Sequence, residues 1–374
     1  MRAIVTGQVG MDKKAYLEAV RELAGQQGEQ ISLYNVGDIM YREAPDIRPG
    51  RILDLPLSRL TSLRRAAFKD IIAESRGQKN VIVNTHGTFR WRHGLFSAFD
   101  FDQIRLFEPD LFVALVDNIE TVHHRLHRDH SVDATLKDCM VWREEEILAT
   151  ELMGQAIPGS QFCILSRGRH SDTRRTLFRL IARPGMRKVY PSFPMSHVVD
   201  LPETLAEIDT FRAALAEQFI TFDPGDVDEK LLLERAIAAA REGKEWLDVT
   251  PHSFAGSKAV DGPIRVRVRE VIDIAGDIDG QIYSRDFKLV DQSDMIVSLI
   301  PELPGGTPGL SSGVERELHH AFEHTKEVYV VWKPKKHPSP FITETATKIF
   351  GGVQEALDYF EKQGMFGERN LFGH

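Results

Sequence analysis

Ala3-Ile4-Val5-Thr6-Gly7-Gln8-Val9-Gly10-Met11-Asp12-Lys13-Lys14 runs from an apolar stretch through a glycine-bearing turn into a segment of helical period, Tyr16 to Leu23. A short apolar run followed at once by a helix is the opening of an α/β unit, and the turn between them exposes backbone N–H groups at the positive end of a helix dipole. An anion such as a phosphate fits there. Gly7, Gly10 and Lys13 fall where GxxxxGK[ST] has its first glycine, an internal glycine and its lysine, while Asp12 replaces the final glycine and Lys14 the magnesium-binding hydroxyl. The expected ligand is ATP or another nucleotide, held by Gly7, Gly10, Lys13 and Lys14. The two replacements oppose phosphoryl transfer: Asp12 adds negative charge beside the cradle, and Lys14 repels the Mg2+ whose ligand it displaces. The plain alternative is a strand-to-helix turn that binds nothing.

Working outward, apolar runs at Ile31 to Asn35, Val81 to Asn84, Leu111 to Val116 and Phe162 to Leu165 alternate with helical stretches, the order of a parallel sheet. Residues 169–187 are arginine-rich, polar and broken at Pro184-Gly185, and the alternation restarts at Val189-Tyr190. The chain therefore divides into an α/β domain over 1–168, a linker over 169–187 and a second α/β domain over 188–374. Within the second, Gly243 to Gly280 reads as an irregular insertion. Ile264 to Arg269 alternates apolar and basic residues, so a strand there puts Arg265, Arg267 and Arg269 on one solvated edge.

A length of 374 residues suits two cores, and a net charge of -8 argues against a general nucleic-acid binder, which needs excess Lys and Arg. Cys139 and Cys163 are the two cysteines, far apart and without CxxC spacing, so neither a disulfide framework nor a cysteine zinc site is expected. No apolar run is long enough to cross a bilayer, and the first residues enter a strand instead of a signal, so a cytoplasmic protein is expected. His123, His124, His127 and His130 carry no carboxylate-histidine pattern, and His319, His320 and His324 are expected on different faces of a helix with Leu318, Ala321 and Phe322 inward. No metal is expected at either group.

The second domain carries the acids. Val189-Tyr190-Pro191-Ser192 gives a strand ending where a small molecule enters an α/β sheet. Asp286, Asp291 and Asp294 lead from a helix into the run Met295 to Val297, and Ser311-Ser312-Gly313 opens a helix with Glu317 one turn inside. Such a set suits glycosidic cleavage, because departure from an anomeric carbon builds positive charge that one carboxylate offsets while another acid protonates the leaving group. The chemistry requires no cofactor. The plain alternative is that these carboxylates cap helices and form salt bridges.

Two resemblances sharpen this. Asn35 to Met40, Val83 to Thr88, and Glu108-Pro109-Asp110 through Arg128-Asp129 stand in the order and spacing of archaeal-type adenylate kinases, so residues 1 to 165 resemble that family. The resemblance implies a nucleoside-monophosphate-kinase fold with Gly7 to Lys13 around nucleotide phosphates. Asn84 stands where that family has an acid, and His130 to Asp133 where it has an arginine-rich lid, which implies a pseudokinase. From Lys188 to Phe360 the chain resembles the nucleoside 2-deoxyribosyltransferase superfamily, especially its deoxynucleoside 5′-monophosphate N-glycosidase branch. The residues that carry this are Tyr190, Asp286, Asp294 and Ser311-x-Gly313-Val314-x-x-Glu317-Leu318-x-x-Ala321. It implies a Rossmann-like, flavodoxin-type sandwich in which Glu317 is the nucleophile, Asp286 assists protonation of the base, Asp294 supports the pocket, and Ser311 meets a 5′-phosphate. Tyr190, Ser192, Ser312 and Gly313 complete the expected substrate contacts. It also implies a homo-oligomer.

The expected function is N-glycosidic hydrolysis or base exchange on a nucleoside or nucleotide by the second domain, beside a kinase-like domain that binds nucleotide. A nucleotide kinase and a non-catalytic nucleotide sensor are the alternatives.

Overall fold

The computed structural model describes residues 1–48, 52, 55–91, 94–195, 198–250 and 262–368. The chain forms two compact units, and it visits each more than once: unit 1 comprises Met1–Arg169, Thr173–Ala182 and Val227–Asp279, and unit 2 comprises His170–Asp172, Arg183–Asp226 and Gly280–His374.

Unit 1 begins with β1 (Arg2–Thr6), α1 (Lys13–Gln26), β2 (Ser32–Asn35), α2 (Val36–Glu43), α3 (Leu57–Glu74) and β3 (Val81–Asn84). A hairpin of β4 (Thr88–Trp91) and β5 (Gly94–Ser97) precedes α4 (Phe101–Phe107), β6 (Leu111–Val116), α5 (Ile119–His130), α6 (Leu136–Ala156), β7 (Gln161–Ser166) and α7 (Thr173–Ala182). Its sheet runs β2-β3-β1-β6-β7, every pair parallel. All six residues of β6 are buried, as a strand covered on both faces requires. Thr135 and Asp138 close a reciprocal capping box that starts α6.

The chain then builds β8 (Lys188–Ser192), α8 (Pro202–Gln218) and β9 (Ile220–Thr221) of unit 2, and returns to unit 1 with α9 (Lys230–Arg241), β10 (Trp246–Val249), β11 (Ile264–Arg267) and α10 (Val268–Asp273). It continues with α11 (Ala275–Asp291), β12 (Met295–Ile300), the short β13 (Glu302–Leu303) and β14 (Thr307–Pro308), α12 (Ser312–Glu323), β15 (Glu327–Trp332), α13 (Pro340–Thr343), β16 (Lys348–Phe350) and α14 (Val353–Lys362). The unit 2 sheet runs β16-β15-β12-β8-β9, again all parallel. Its core gathers Val189, Val297, Leu299, Val331, Phe219 and Phe360.

Two expectations about organisation differ from this. Residues 173–182, expected in a linker, form α7 within unit 1, where the Tyr16 hydroxyl donates to the Thr173 carbonyl at 2.9 Å. The described part of the expected insertion is ordered as the β10-β11 hairpin, α10 and the start of α11, and it groups with unit 1. A buried ion pair explains the return: Arg143 of α6 meets Glu229, just ahead of α9, at 2.5 Å. Residues 251–261 of that insertion lie outside the described residues. Arg265 and Arg267 do share the exposed face of β11, 5.1 and 5.2 Å from the Trp246 ring, but the strand ends there and Arg269 belongs to α10. Among the described residues no helix is long and apolar enough to cross a membrane.

Candidate functional site

In unit 1 the loop between β1 and α1 is shaped by three left-handed or otherwise positive φ angles: Gly7 at +147°, Gly10 at +86° and Asp12 at +50°. A Cβ on Gly7 would stand 2.8 Å from the Leu115 carbonyl, and one on Gly10 would stand 3.0 Å from Leu126 Cγ, so both positions exclude a side chain. Asp12 occupies the place of the missing final glycine. Aspartate is among the few residues that adopt this conformation at modest cost, so the substitution keeps the loop shape that glycine would give.

Lys13 follows at the first turn of α1. Its ammonium is buried, donates to the Gly7 carbonyl, and lies 3.2 Å from His86 Nδ1. Burial pushes the lysine down to about 8, against the pull of the Glu146 carboxylate, and His86 is held well below the usual imidazole range by burial and by Lys13. Lys14 instead makes an exposed ion pair with Asp38 at 2.6 Å. Arg125 Nη1 donates to Asp117 at 2.7 Å and reaches the Gly10 carbonyl at 3.4 Å, while Arg167 Nη1 donates to the Met11 carbonyl at 2.5 Å. Beside the loop is a cavity of about 420 Å³, lined among others by Gln8, Gly10, Lys13, Asn84, His86 and Arg125. That is the size range of small-ligand sites.

Glu146 is the residue that sequence reasoning missed. Its buried carboxylate accepts from Gly7 N at 3.0 Å, Gly87 N at 2.7 Å, and Thr88 N and Oγ1 at 2.8 Å each, tying the phosphate loop to the segment after β3. A signal existed. Of Glu144, Glu145 and Glu146, only the last lies in the buried phase of α6 with Arg143, Thr150, Met153 and Gly154.

In unit 2, the structure brings together three of the expected residues from two distant segments. Tyr190 Oη donates to Glu317 Oε1 at 2.8 Å and Ser192 Oγ to Glu317 Oε2 at 2.6 Å. Tyr190 and Ser192 are fully buried, and Glu317 is 9% exposed. The alternation of β8 causes this, since residues two apart project from the same face of a strand. Burial pushes Glu317 up to about 7, opposed by the hydrogen bonds from Ser192 and Tyr190. The Tyr190 phenol is raised well above its usual range by burial first, then by Glu317 and Asp286, so buried Asp286 on α11 acts on the same group. Strands β8 and β12 are where the strand order reverses, and the crevice beyond such a point receives ligands in open α/β sheets.

Ser311 is the N-cap of α12, accepting from Val314 N at 3.2 Å, and Ser312 and Gly313 are exposed on its first turn. Asp294 is not brought to Glu317. It precedes β12, and its carboxylate accepts from Lys188 N at 2.8 Å at the amino ends of the strands, about 13 Å of strand away from the level of Ser298 and its partner Ser192. That bond joins the starts of β8 and β12. Asp223, unremarked in the sequence, follows β9, is pushed up to about 6 by burial against the pull of Arg212, and adds to the raised Tyr190 phenol. Arg212 Nε donates to it at 2.6 Å.

Residues 6–142 match a family model described as AAA domain. Among solved structures, one described as a gluconokinase from Sinorhizobium meliloti 1021 is similar over 44% of this chain and 81% of that chain, with 15% sequence identity and a TM-score of 0.28. No curated protein matches the chain. The matched span begins at the last residue of β1, takes in the whole phosphate loop and ends within α6. Unit 1 thus carries a P-loop-like strand, glycine-bearing turn and helix within the span that matches an AAA domain.

Proposed function

We propose that unit 2 cleaves the N-glycosidic bond of a nucleoside or nucleotide while the P-loop of unit 1 binds nucleotide without efficient phosphoryl transfer. One observation carries the reading: a buried glutamate, Glu317, held by the Tyr190 and Ser192 hydroxyls at the carboxyl ends of β8 and β12, with Asp286 acting on the same cluster. The strand order of unit 2, with the first two strands exchanged at one edge, is the flavodoxin-type order and supports the resemblance to the nucleoside 2-deoxyribosyltransferase superfamily.

In the first step a Glu317 oxygen forms a bond to C1′ as the C1′–N bond to the base breaks, and the carboxyl proton of Asp286 passes to the departing nitrogen. In the second, water attacks C1′, its proton returns to Asp286, and the Glu317 carboxylate leaves. A second base in place of water gives transfer. The two hydroxyls stabilise the ionised form of Glu317 that the first step needs. Free Ser312 and Gly313 N–H groups on the first turn of α12 suit a 5′-phosphate.

Kinase chemistry ordinarily uses Mg2+, and the residues present do not fit it. The hydroxyl position holds Lys14 in an ion pair with Asp38, and the Asp117 carboxylate is committed to Arg125. The test is chromatographic detection of free base from deoxynucleoside monophosphates, set against ADP formation from ATP. Base release lost in Glu317→Gln and intact in Lys13→Met supports the reading; ADP formation dependent on Lys13 with no base released overturns it.

A further inference from the structure

Histidines 319, 320 and 324, expected to point to different faces of α12, do not all diverge. One ligand atom each from Asp291, His320 and His324 lies within 4.8 Å of the others. His320 Nε2 stands 2.8 Å from Asp291 Oδ1, and His324 Nδ1 stands 2.8 Å from the His320 carbonyl. The last contact fixes a tautomer: with Nδ1 donating its proton to that carbonyl, Nε2 keeps a lone pair for a ligand, the arrangement by which backbone carbonyls orient metal-binding imidazoles.

Two ligand atoms about 2.0–2.1 Å from one ion are about 2.9 Å apart at a right angle and about 3.4 Å apart at the tetrahedral angle. The Asp291 to His320 separation is already at the lower of these. Asp291 and His324 are both exposed, and the third edge is at most 4.8 Å. His320 is oriented in advance by Phe287, whose ring centroid lies 4.5 Å away and is itself packed on Tyr283 at 4.6 Å.

The local field also favours a cation. Helices α11 and α12 both end here, at Asp291 and Glu323, and α12 brings the negative end of its dipole, that of α11 being met by Lys326. The neighbouring ammonium of Lys326 donates to the main-chain carbonyls of Asp291 and Ser293, at 2.7 and 2.6 Å, which leaves the Asp291 carboxylate facing His320.

We propose that Asp291, His320 and His324 bind one divalent transition-metal ion of the zinc class, fastening the end of α11 to α12. Two imidazoles and a carboxylate are borderline donors suited to such ions, with water completing the shell. These are the helices that carry Asp286 and Glu317, but the site stands without the glycosidic reading.

The experiment uses untagged full-length protein stripped with a chelator and titrated with Zn2+ by calorimetry, with Co2+ as a visible-absorbance probe. Wild type takes up one equivalent that His324→Ala and Asp291→Asn each weaken at least about tenfold. A rise in melting temperature with Zn2+, present in wild type and lost in both variants, reports the same site through folding linkage. His123→Ala/His127→Ala, which removes the other close imidazole pair, keeps the equivalent. Unchanged affinity in His324→Ala and Asp291→Asn, or loss of the equivalent in the His123/His127 variant instead, overturns the proposal.

Discussion

The two units solve similar backbone problems and bury opposite charges. In each, the first strand of a parallel sheet delivers the site at its carboxyl end: β1 leads to Lys13, and β8 carries Tyr190 and Ser192 to Glu317. Burial favours the neutral form of both groups, which moves the lysine down to about 8 and the glutamate up to about 7. Their partners differ in kind. Lys13 is held by a backbone carbonyl of its own loop, a contact that an arriving phosphate can replace, whereas Glu317 is held by two side-chain hydroxyls that stabilise its charge in place. The first arrangement suits binding of an anion. The second suits a carboxylate that must stay ionised against a reacting centre.

The largest test of that contrast is Glu317→Gln. Loss of the attacking carboxylate should lower base release by more than about 10³-fold while circular dichroism stays that of wild type. The same variant should lack a stability loss that wild type shows. Because the folded-state value of Glu317 is raised above 4.5, its contribution is fully present below about pH 4.5 and is lost as pH rises through about 7, on the order of 3 kcal/mol. Melting temperatures of the two proteins should therefore approach each other at acid pH and separate by pH 8, with the variant higher. Parallel curves across that range count against a buried, protonatable Glu317.

Next in size is Glu146→Ala. It leaves the Gly7, Gly87 and Thr88 N–H groups of the loop region without their acceptor, a loss of about 3 kcal/mol seen as a lower denaturation midpoint for unit 1. Base release by unit 2 should be unaffected at temperatures where both units are folded. Lys13→Met comes after it: removing one charge-assisted hydrogen bond weakens nucleotide binding about ten- to hundredfold. Calorimetry should give that ratio with and without Mg2+. A wild-type affinity that depends strongly on Mg2+ contradicts the role given to Lys14.

Much of the fold was legible because strands buried on both faces are written as unbroken apolar runs: Val81 to Asn84, Leu111 to Val116 and Met295 to Ile300 are the strands themselves. Helix α12 was legible from Ser311 as its cap and the apolar phase behind it, and that phase carried Glu317 inward. Asp294 misled for a reason of geometry. A carboxylate at a strand's entrance is at the amino end of a parallel sheet, and ligands gather at the other end. Phe322 misled because its phase on α12 is the solvent side, where it is 49% exposed. The return of the chain to unit 1 was not legible, because it rests on a contact such as Arg143 with Glu229, 86 residues apart, which no local pattern encodes. Glu146 stands between: the helical phase of α6 singles it out, but its partners in the loop do not.

The smallest predicted effect discriminates best between a nucleophile and a structural acid. Ionised Glu317 is required for attack at C1′, so base release in wild type should rise with pH through about 7. Tyr190→Phe removes one of the two hydrogen bonds that favour the ionised form, and the ring itself keeps the packing of β8. The titration of Glu317 then moves up, and with it the rising limb of the pH–rate profile, while the rate on the high-pH plateau falls only about tenfold. A structural acid gives a different outcome: the plateau falls and the limb stays where it was. Ser192→Ala, which removes the bond to the other oxygen, should move the limb in the same direction. Agreement between two variants that touch different oxygens of one carboxylate assigns the limb to Glu317, the group to which both hydroxyls donate.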